Sequence, residues 1–443
     1  MASKNLDAAL ELFKRIPLEH PTGFDEKCEK LWDYYNGEHD KHIAPMLAKM
    51  YPKATQGGMA VVSKPQAKRM TDTTATLFHR PPIEHLYQVK APWWRPSKER
   101  EVALGPETQD RRVWQHIDES THKNSRMKFA QRQARILKTV GVMPAWKEDH
   151  LHFETHRPSK IFYLADPDNP YDPKSLQAVA TASGRGWMMW SRKLYAYVVE
   201  TEEGSGVYEA LDPLGTDFVN PYGIIPLVLF HDSPGDYILA PLDDTITSSQ
   251  ETVDKLWSVF SWSMGNGFTM NVAYTNADLS GFVAGPDQVA VIPDPGAKMD
   301  RLSANLDPKG MVEFVSSMTK TDAVMHAADP GLFSLDSDHF MNALSGVAKQ
   351  VDRMDLVSIR EDAEQDWAYG LAELFDKTRA VWNFHNKNRQ ISKEVIYRVE
   401  WQEPEPAQNV LQEAQAEELR IQNKTSTPEE IRARRENKAV EDA

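Results

Sequence analysis

Glu38-His39-Asp40-Lys41-His42 is the best metal-like cluster in the chain. His39 and His42 stand one helical turn apart, so both imidazoles could face a zinc ion with a distant carboxylate completing the set. A metal-dependent hydrolase would use them that way, together with nearby acids. Lys41 between them and the exposed look of the helix start favour plain surface polarity instead. His150, His152 and His156 form a second candidate, because the last two could share one face of a strand; paired surface strands account for them equally well. Asp166-Pro167-Asp168-Asn169-Pro170-Tyr171-Asp172 has the carboxylate density of a calcium loop. It lacks the glycine and terminal glutamate of an EF-hand and reads as a turn. Asp243-Asp244 could act as an acid and a base; just after Pro241, they more simply favour a helix N-terminus. Cys28, flanked by Glu26 and Glu29, lacks the electropositive setting of a nucleophile and reads as a core residue.

The nucleotide fingerprints are missing. No Gly-x4-Gly-Lys-Ser/Thr run exists. Gly204-x-Gly206 and Gly265-x-Gly267 lack the third glycine and the helix of a dinucleotide site, and neither a Gly-x-Ser-x-Gly elbow nor a His-Glu-x-x-His pair occurs. The reading therefore expects no catalytic residues, no cofactor and no resident metal. The single cysteine excludes an internal disulfide. With 443 residues, 41% hydrophobic and 26% charged, the chain suits a globular protein of about two or three domains. No apolar run approaches the length of a membrane span. Met1–Asp7 shows no hydrophobic signal region, which predicts a cytoplasmic site of synthesis and assembly. The net charge of −14 argues against broad adhesion to nucleic acid. It suits a conduit, whose wall must not grip phosphates.

The elements that would position these residues follow from periodicity. Residues 5–50 predict three helices, lined by Leu6, Leu10 and Phe13, by Leu31, Tyr34 and Tyr35, and by Ile43, Leu47 and Met50. Gly37 ends the second. A fourth covers Pro65–Phe78, before Arg80-Pro81-Pro82. Residues 109–138 read as one helix with a basic face of Arg126, Lys128, Arg132, Arg135 and Lys138. A solvated face is the default for it, and phosphate contact the sharper alternative. Short apolar runs follow at Val140–Trp146, His152–His156, Ile161–Leu164, Trp187–Trp190 and Leu194–Glu200, pointing to an α+β domain with a mostly antiparallel sheet. A helix is expected at 243–264. Strands follow at Phe268–Tyr274, Gly281–Ala284 and Gln288–Ile292, and Pro308 opens a second helix over 308–327. Residues 332–342 read as irregular. A long helix then runs from about Leu344 to Asn383, with Val351, Met354, Trp367, Leu371, Leu374, Val381 and Trp382 in helical steps. At about 1.5 Å per residue it would span about 60 Å. Glu394–Gln402 alternates as a strand, and Thr427, Pro428 and Glu430 start a helix in the polar tail.

In order, Tyr34-Tyr35-Asn36-Gly37, Thr71–Ile83, Asn220-Pro221-Tyr222-Gly223-Ile224-Ile225-Pro226 before an Asp-rich helix, and Leu344-Ser345-Gly346-Val347-Ala348 opening a long helix resemble the portal proteins of tailed bacteriophages. The resemblance spans about 20–425. It implies a ring-forming α+β subunit with a helical stem, a strand-containing clip, an α/β wing and a short helical crown. Carried over, the wing is 1–240 and 344–403, the stem 241–264 and 308–327, the clip 265–307, the tunnel loop 328–343 and the crown 404–443.

The implied role is a channel at one capsid vertex, through which double-stranded DNA is packaged and ejected. The implied partners are further copies in a ring, typically a dodecamer, the major capsid protein, the large terminase subunit and a head–tail adaptor or neck protein. No membrane is involved, and the place is the virion, reached from the host cytoplasm. Leu332, Phe333, Leu335, Asp336 and Asp338 would line the tunnel loop, and Lys309 and Lys320 would meet phosphates in passing. Trp257, Phe260 and Trp262 are the candidates for subunit contacts. Another head–tail connector protein is the nearest alternative.

Overall fold

A computed structural model describes residues 4–90, 101–202, 206–233, 235, 237–267, 272–275, 298–301, 308–325 and 354–402. The chain opens with α1 (Lys4–Lys14), α2 (Phe24–Asn36), α3 (Asp40–Met50) and the short α4 (Pro52–Gln56), and α5 (Gln66–Thr74) follows an extended stretch. Gly37 ends α2 as expected. Its φ of 84° lets its N–H turn back to the carbonyls of Asp33 and Tyr34, a closure that a β-carbon would strain. The fourth helix stops at Thr74 rather than reaching Phe78.

Residues 109–138 form two helices, not one: α6 (Gln109–Thr121) and α7 (Lys123–Leu137). His122 takes φ 51° between them, and Lys138 takes φ 63° where α7 ends. Neither position carries the glycine that usually announces a left-handed residue, so the break is silent in the sequence. Three of the five residues on the basic face have acidic partners. Arg132 pairs with Asp72 at 3.0 Å, while Arg135 and Lys138 share Asp232 at 3.1 and 2.9 Å. Buried Lys123 sits beside Glu84 and Asp118, 4.7 Å over the Trp114 ring.

All strand pairs among the described residues are antiparallel, and the fold is mixed α+β. Strands β1 (Ile83–Val89) and β2 (Glu101–Ala103) make a sheet with β13 (Val395–Glu400), the order being β13-β1-β2. Strands β3 (Thr139–Lys147), β4 (His150–His156) and β10 (Val228–His231) form a second, ordered β10-β3-β4. A five-stranded meander runs through β5 (Ile161–Ala165), β6 (Leu176–Ser183), β7 (Gly186–Ser191), β8 (Tyr195–Glu200) and β9 (Tyr208–Leu211). Strand β6 escaped the sequence reading because Leu176-Gln177-Ala178-Val179-Ala180-Thr181-Ala182-Ser183 offers one β-branched aliphatic and three alanines; its interior is buried all the same. Strand β11 (Val272–Thr275) pairs with β12 (Lys298–Arg301). The expected strands Gly281–Ala284 and Gln288–Ile292 lie outside the described residues.

Helix α8 (Thr245–Gly267) and helix α9 (Pro308–Met325) replace the expected spans 243–264 and 308–327 with small shifts. Helix α10 is described from Met354 to His385 and is continuous through 355–360; the expected start at 344–353 lies outside the described residues. Trp367, Leu371, Leu374, Phe375, Val381 and Trp382 of α10 join Trp114, Val140, Phe230 and Tyr397 in one core that ties two sheets to α6 and α7. Gly370 is where α10 crosses β10, since a β-carbon there would meet the Phe230 ring at 2.5 Å.

Candidate functional site: helices α8 and α9 and their polar anchor

The face that α8 buries in its first half is polar apart from Val253. Thr247, Gln250, Glu251, Asp254 and Ser258, spaced by three or four residues, are all buried, so one stripe of the helix faces inward. Three of them read the main chain of the extended segment before α5 and of the first turn of α5. Ser258 Oγ accepts from the Val62 N–H at 2.8 Å, Asp254 Oδ1 from the Lys64 N–H at 3.2 Å, and Gln250 Oε1 from the Ala67 N–H at 2.9 Å. Gln250 Nε2 returns the contact by donating to the Lys64 carbonyl at 2.7 Å and to Asp254 Oδ1 at 2.8 Å. Buried peptide groups must find partners, and here a helix supplies the acceptors that a neighbouring strand would otherwise offer.

The second Asp254 oxygen meets His39. Nδ1 of His39 is 2.6 Å from Oδ2, and its Nε2 is 3.0 Å from the Tyr34 carbonyl. A carboxylate and a carbonyl can only accept, so both ring nitrogens donate and the ring is an imidazolium. Burial opposes that charge, but the hydrogen bond and charge of Asp254, helped by the Tyr34 carbonyl, outweigh it and hold the His39 pKa above the ordinary histidine value. The pair is almost wholly enclosed, with the side chains 1% and 0% exposed. Outside it, Lys27 and Lys30 of α2 reach Asp244 and Glu251.

Helix α9 packs on α8 through a second polar contact: Ser249 Oγ donates to Asp322 Oδ1 at 2.9 Å. Gln66 Nε2 donates to Thr319 Oγ1 at 3.3 Å and draws the extended segment in as well. The faces turned outward are mostly uncharged: Thr245, Ser248 and Thr252 on α8, and Ser317 and Thr321 on α9 are exposed. Lys309 is 88% exposed and sits 3.7 Å from Glu313, also largely exposed. Lys320 is half-buried. Two large apolar side chains on α9 also stand in the open, Phe314 at 53% and Met325 at 64% exposure. Their place among the Ser and Thr residues of α9 is a signal visible in the sequence.

The three aromatic residues of α8 are half-buried within the chain. Trp262 packs with Val259 against Tyr34, Ile43, Leu47 and Met59. Lys64 Nζ lies 3.9 Å from the centre of the Trp257 ring, and Phe260 meets Trp257 edge-on at 5.8 Å. Leu332, Phe333, Leu335, Asp336 and Asp338 lie outside the described residues.

The other candidates dissolve into local contacts. His39 turns inward to Asp254, while Nε2 of His42 takes Asp33 at 2.9 Å, so the two imidazoles serve different carboxylates. His150 and His152 are exposed on β4. No group of three or more His, Cys, Asp or Glu among the described residues is placed to hold a metal ion. Asp166 accepts the Asp168 N–H and Asp172 the Lys174 N–H, as a turn requires. Asp243 Oδ1 accepts the Thr245 N–H at 3.0 Å, which gives this carboxylate its place at the start of α8. Cys28 is fully buried and its thiol pKa is pushed up by burial. No helix among the described residues is long and apolar enough to cross a membrane.

No protein-family model matches the sequence, and no curated protein matches it. Solved structures give distant likenesses at 10% identity. One chain from the neck of an empty GTA particle, computed with C6 symmetry, aligns over 97% of both chains with a TM-score of 0.39. A chain from the virion of a native gene transfer agent particle aligns over 82% of this chain and 86% of its own, with a TM-score of 0.35. A third, from the neck of a native GTA particle computed with C12 symmetry, covers the same shares at 0.34. Likeness of this degree carries no argument by itself.

Proposed function

We propose that this chain is a portal-type structural subunit of a tailed-phage-like particle, closing with further copies into a ring around a channel for double-stranded DNA. The observation that carries this reading is the α8–α9 pair. Two neighbouring helices are anchored to the N-terminal region by buried polar bonds; α8 turns Thr245, Ser248 and Thr252 outward, and α9 adds Ser317 and Thr321. A wall built of Ser and Thr neutralises few phosphates, and each phosphate left unneutralised is one less hold on passing DNA. The net charge of −14 works in the same direction.

In this reading α8 and α9 are the stem, 265–307 is the clip that meets the terminase and later the neck protein, and 328–343 is the tunnel loop with Asp336 and Asp338 toward DNA. The region around α10 is the wing against the capsid, and 404–443 is the crown. The subunit hydrolyses nothing; the missing nucleotide fingerprints agree with that. Ring closure is head-to-tail. Exposed Phe314 and Met325 are better candidates for the next subunit than Trp262, which already has intrachain partners.

Electron microscopy of the purified full chain tests the reading. Rings with an axial hole, twelvefold or close to it, support it, and a compact monomer overturns it. Asp336→Lys with Asp338→Lys should leave rings intact and reduce DNA packaging; unchanged packaging removes that loop from the channel.

A further inference from the structure

Between the sheet β10-β3-β4 and the meander β5–β9 lies a cavity of about 150 Å³, walled by Trp146, Trp190, Tyr195 and Tyr222. The proposed channel makes no use of it. Trp190 is stacked between Tyr195 and Tyr222, with ring centres 5.1 and 5.5 Å away and planes inclined by 23° in both cases. Trp146 is fixed in turn by His385, stacked on it at 4.6 Å with planes 4° apart. These contacts hold the aromatic walls in place around an open space, where densely packed interiors ordinarily leave no gap much larger than a water. A space of this size takes one six-membered ring. Lys147 and Glu154, paired with each other, also line the cavity, and the 59% exposure of the Lys147 side chain marks the solvent side. An apolar lining with a few polar groups is the usual make-up of a ligand site.

Two polar atoms of the lining residues are left over. Trp190 Nε1 and His156 Nε2 are buried without a hydrogen-bond partner. Glu154 Oε2 stands 3.7 Å from His156 Nε2, beyond hydrogen-bond length. Burial pushes the His156 pKa down against the pull of Glu154, so the imidazole is neutral, and its Nε2 donates or accepts according to tautomer. The indole N–H can only donate. Buried groups of this kind are costly when left unpaired.

We propose that this cavity binds a single phenol ring, packed among the four aromatic side chains with its hydroxyl meeting Trp190 Nε1 or His156 Nε2. A phenol suits both nitrogens, because its oxygen accepts from the indole and its O–H donates to a neutral imidazole nitrogen. The ring is either the side chain of a tyrosine from a protein chain or a free phenol.

Equilibrium dialysis of the full chain against p-cresol and against toluene tests the site. The expected result is saturable uptake of p-cresol, with toluene, which has no hydroxyl, binding about three- to tenfold more weakly, the factor for one neutral hydrogen bond. Trp190→Phe keeps a ring and removes a donor, and should narrow that preference; Ser183→Phe, placed to fill the cavity, should abolish uptake. No saturable uptake, or equal uptake of the two ligands by the unaltered protein, overturns the proposal even if a variant fails to fold. N-acetyl-tyrosinamide then separates the sources. Uptake matching p-cresol assigns the ring to a protein chain, and exclusion of the capped residue while p-cresol binds assigns it to a free phenol.

Discussion

Helices α8 and α10 are both long and both tie distant parts of the chain together, but they do so with opposite chemistry. Helix α10 buries Trp367, Leu371, Leu374, Phe375, Val381 and Trp382 in the largest core. Helix α8 buries Thr247, Gln250, Glu251, Asp254 and Ser258. Apolar burial is non-directional and tolerates small shifts. A stripe of hydrogen bonds fixes register, since each acceptor on α8 matches one N–H of the segment 62–67. Helix α10 thus supplies adhesion, while α8 supplies a defined position relative to the N-terminal helices.

Substitutions put that contrast to the test. Trp367→Ala should cause the largest loss, about 3–5 kcal/mol for a buried aromatic, measured by chemical denaturation. A loss below about 1 kcal/mol would mean that α10 does not hold the core. Asp254→Ala should come close, at about 3 kcal/mol or more, because it strands the charge of His39. Adding His39→Leu to Asp254→Ala should recover part of that loss, and strict additivity of the two changes would argue against a coupled pair.

The pH dependence comes next. The folded pKa of His39 is raised, so its contribution is complete below about pH 6.5, the unfolded value, and fades as pH rises through the folded value. His20, His156, His231 and His385 are shifted down and act in the opposite sense, losing stability as pH falls. The difference in unfolding midpoint between the unaltered protein and His39→Gln isolates the pair. That difference should shrink as pH rises above about 6.5; a difference that stays flat would refute the charged state assigned to His39. The smallest effect is expected from Ser249→Ala, which removes the bond to Asp322 and should cost about 1 kcal/mol. No change in the denaturation midpoint would show that α8 and α9 adhere without it.

Much of α10 was readable because its apolar residues recur at helical steps, and Trp367 to Trp382 all landed in the core that this spacing implied. The strands from Thr139 to Glu200 were readable as short apolar runs bounded by turn residues, apart from β6 with its small residues. The inward face of α8 was not. Asp254 and Gln250 look like surface residues in any window of sequence, and the apolar signal of the helix comes from Trp257, Phe260 and Trp262. The spacing of His39 and His42 points each to the other, while the partner of His39 is a carboxylate on another helix.

Local chemistry set several of the helix ends, though not the break at His122 between α6 and α7. Gly37 takes the positive φ that closes α2, the Asp243 carboxylate meets the first N–H of α8, and Pro308 starts α9, each acting within a few residues of itself. The tertiary structure decided which face of α8 is inside, that His39 is charged, and that Arg132, Arg135 and Lys138 are spent on Asp72 and Asp232. Those outcomes depend on partners far along the chain: His39 and Asp254 are 215 residues apart, Lys64 and Asp254 190. A polar side chain carries no mark of burial until the groups that satisfy it have been folded against it.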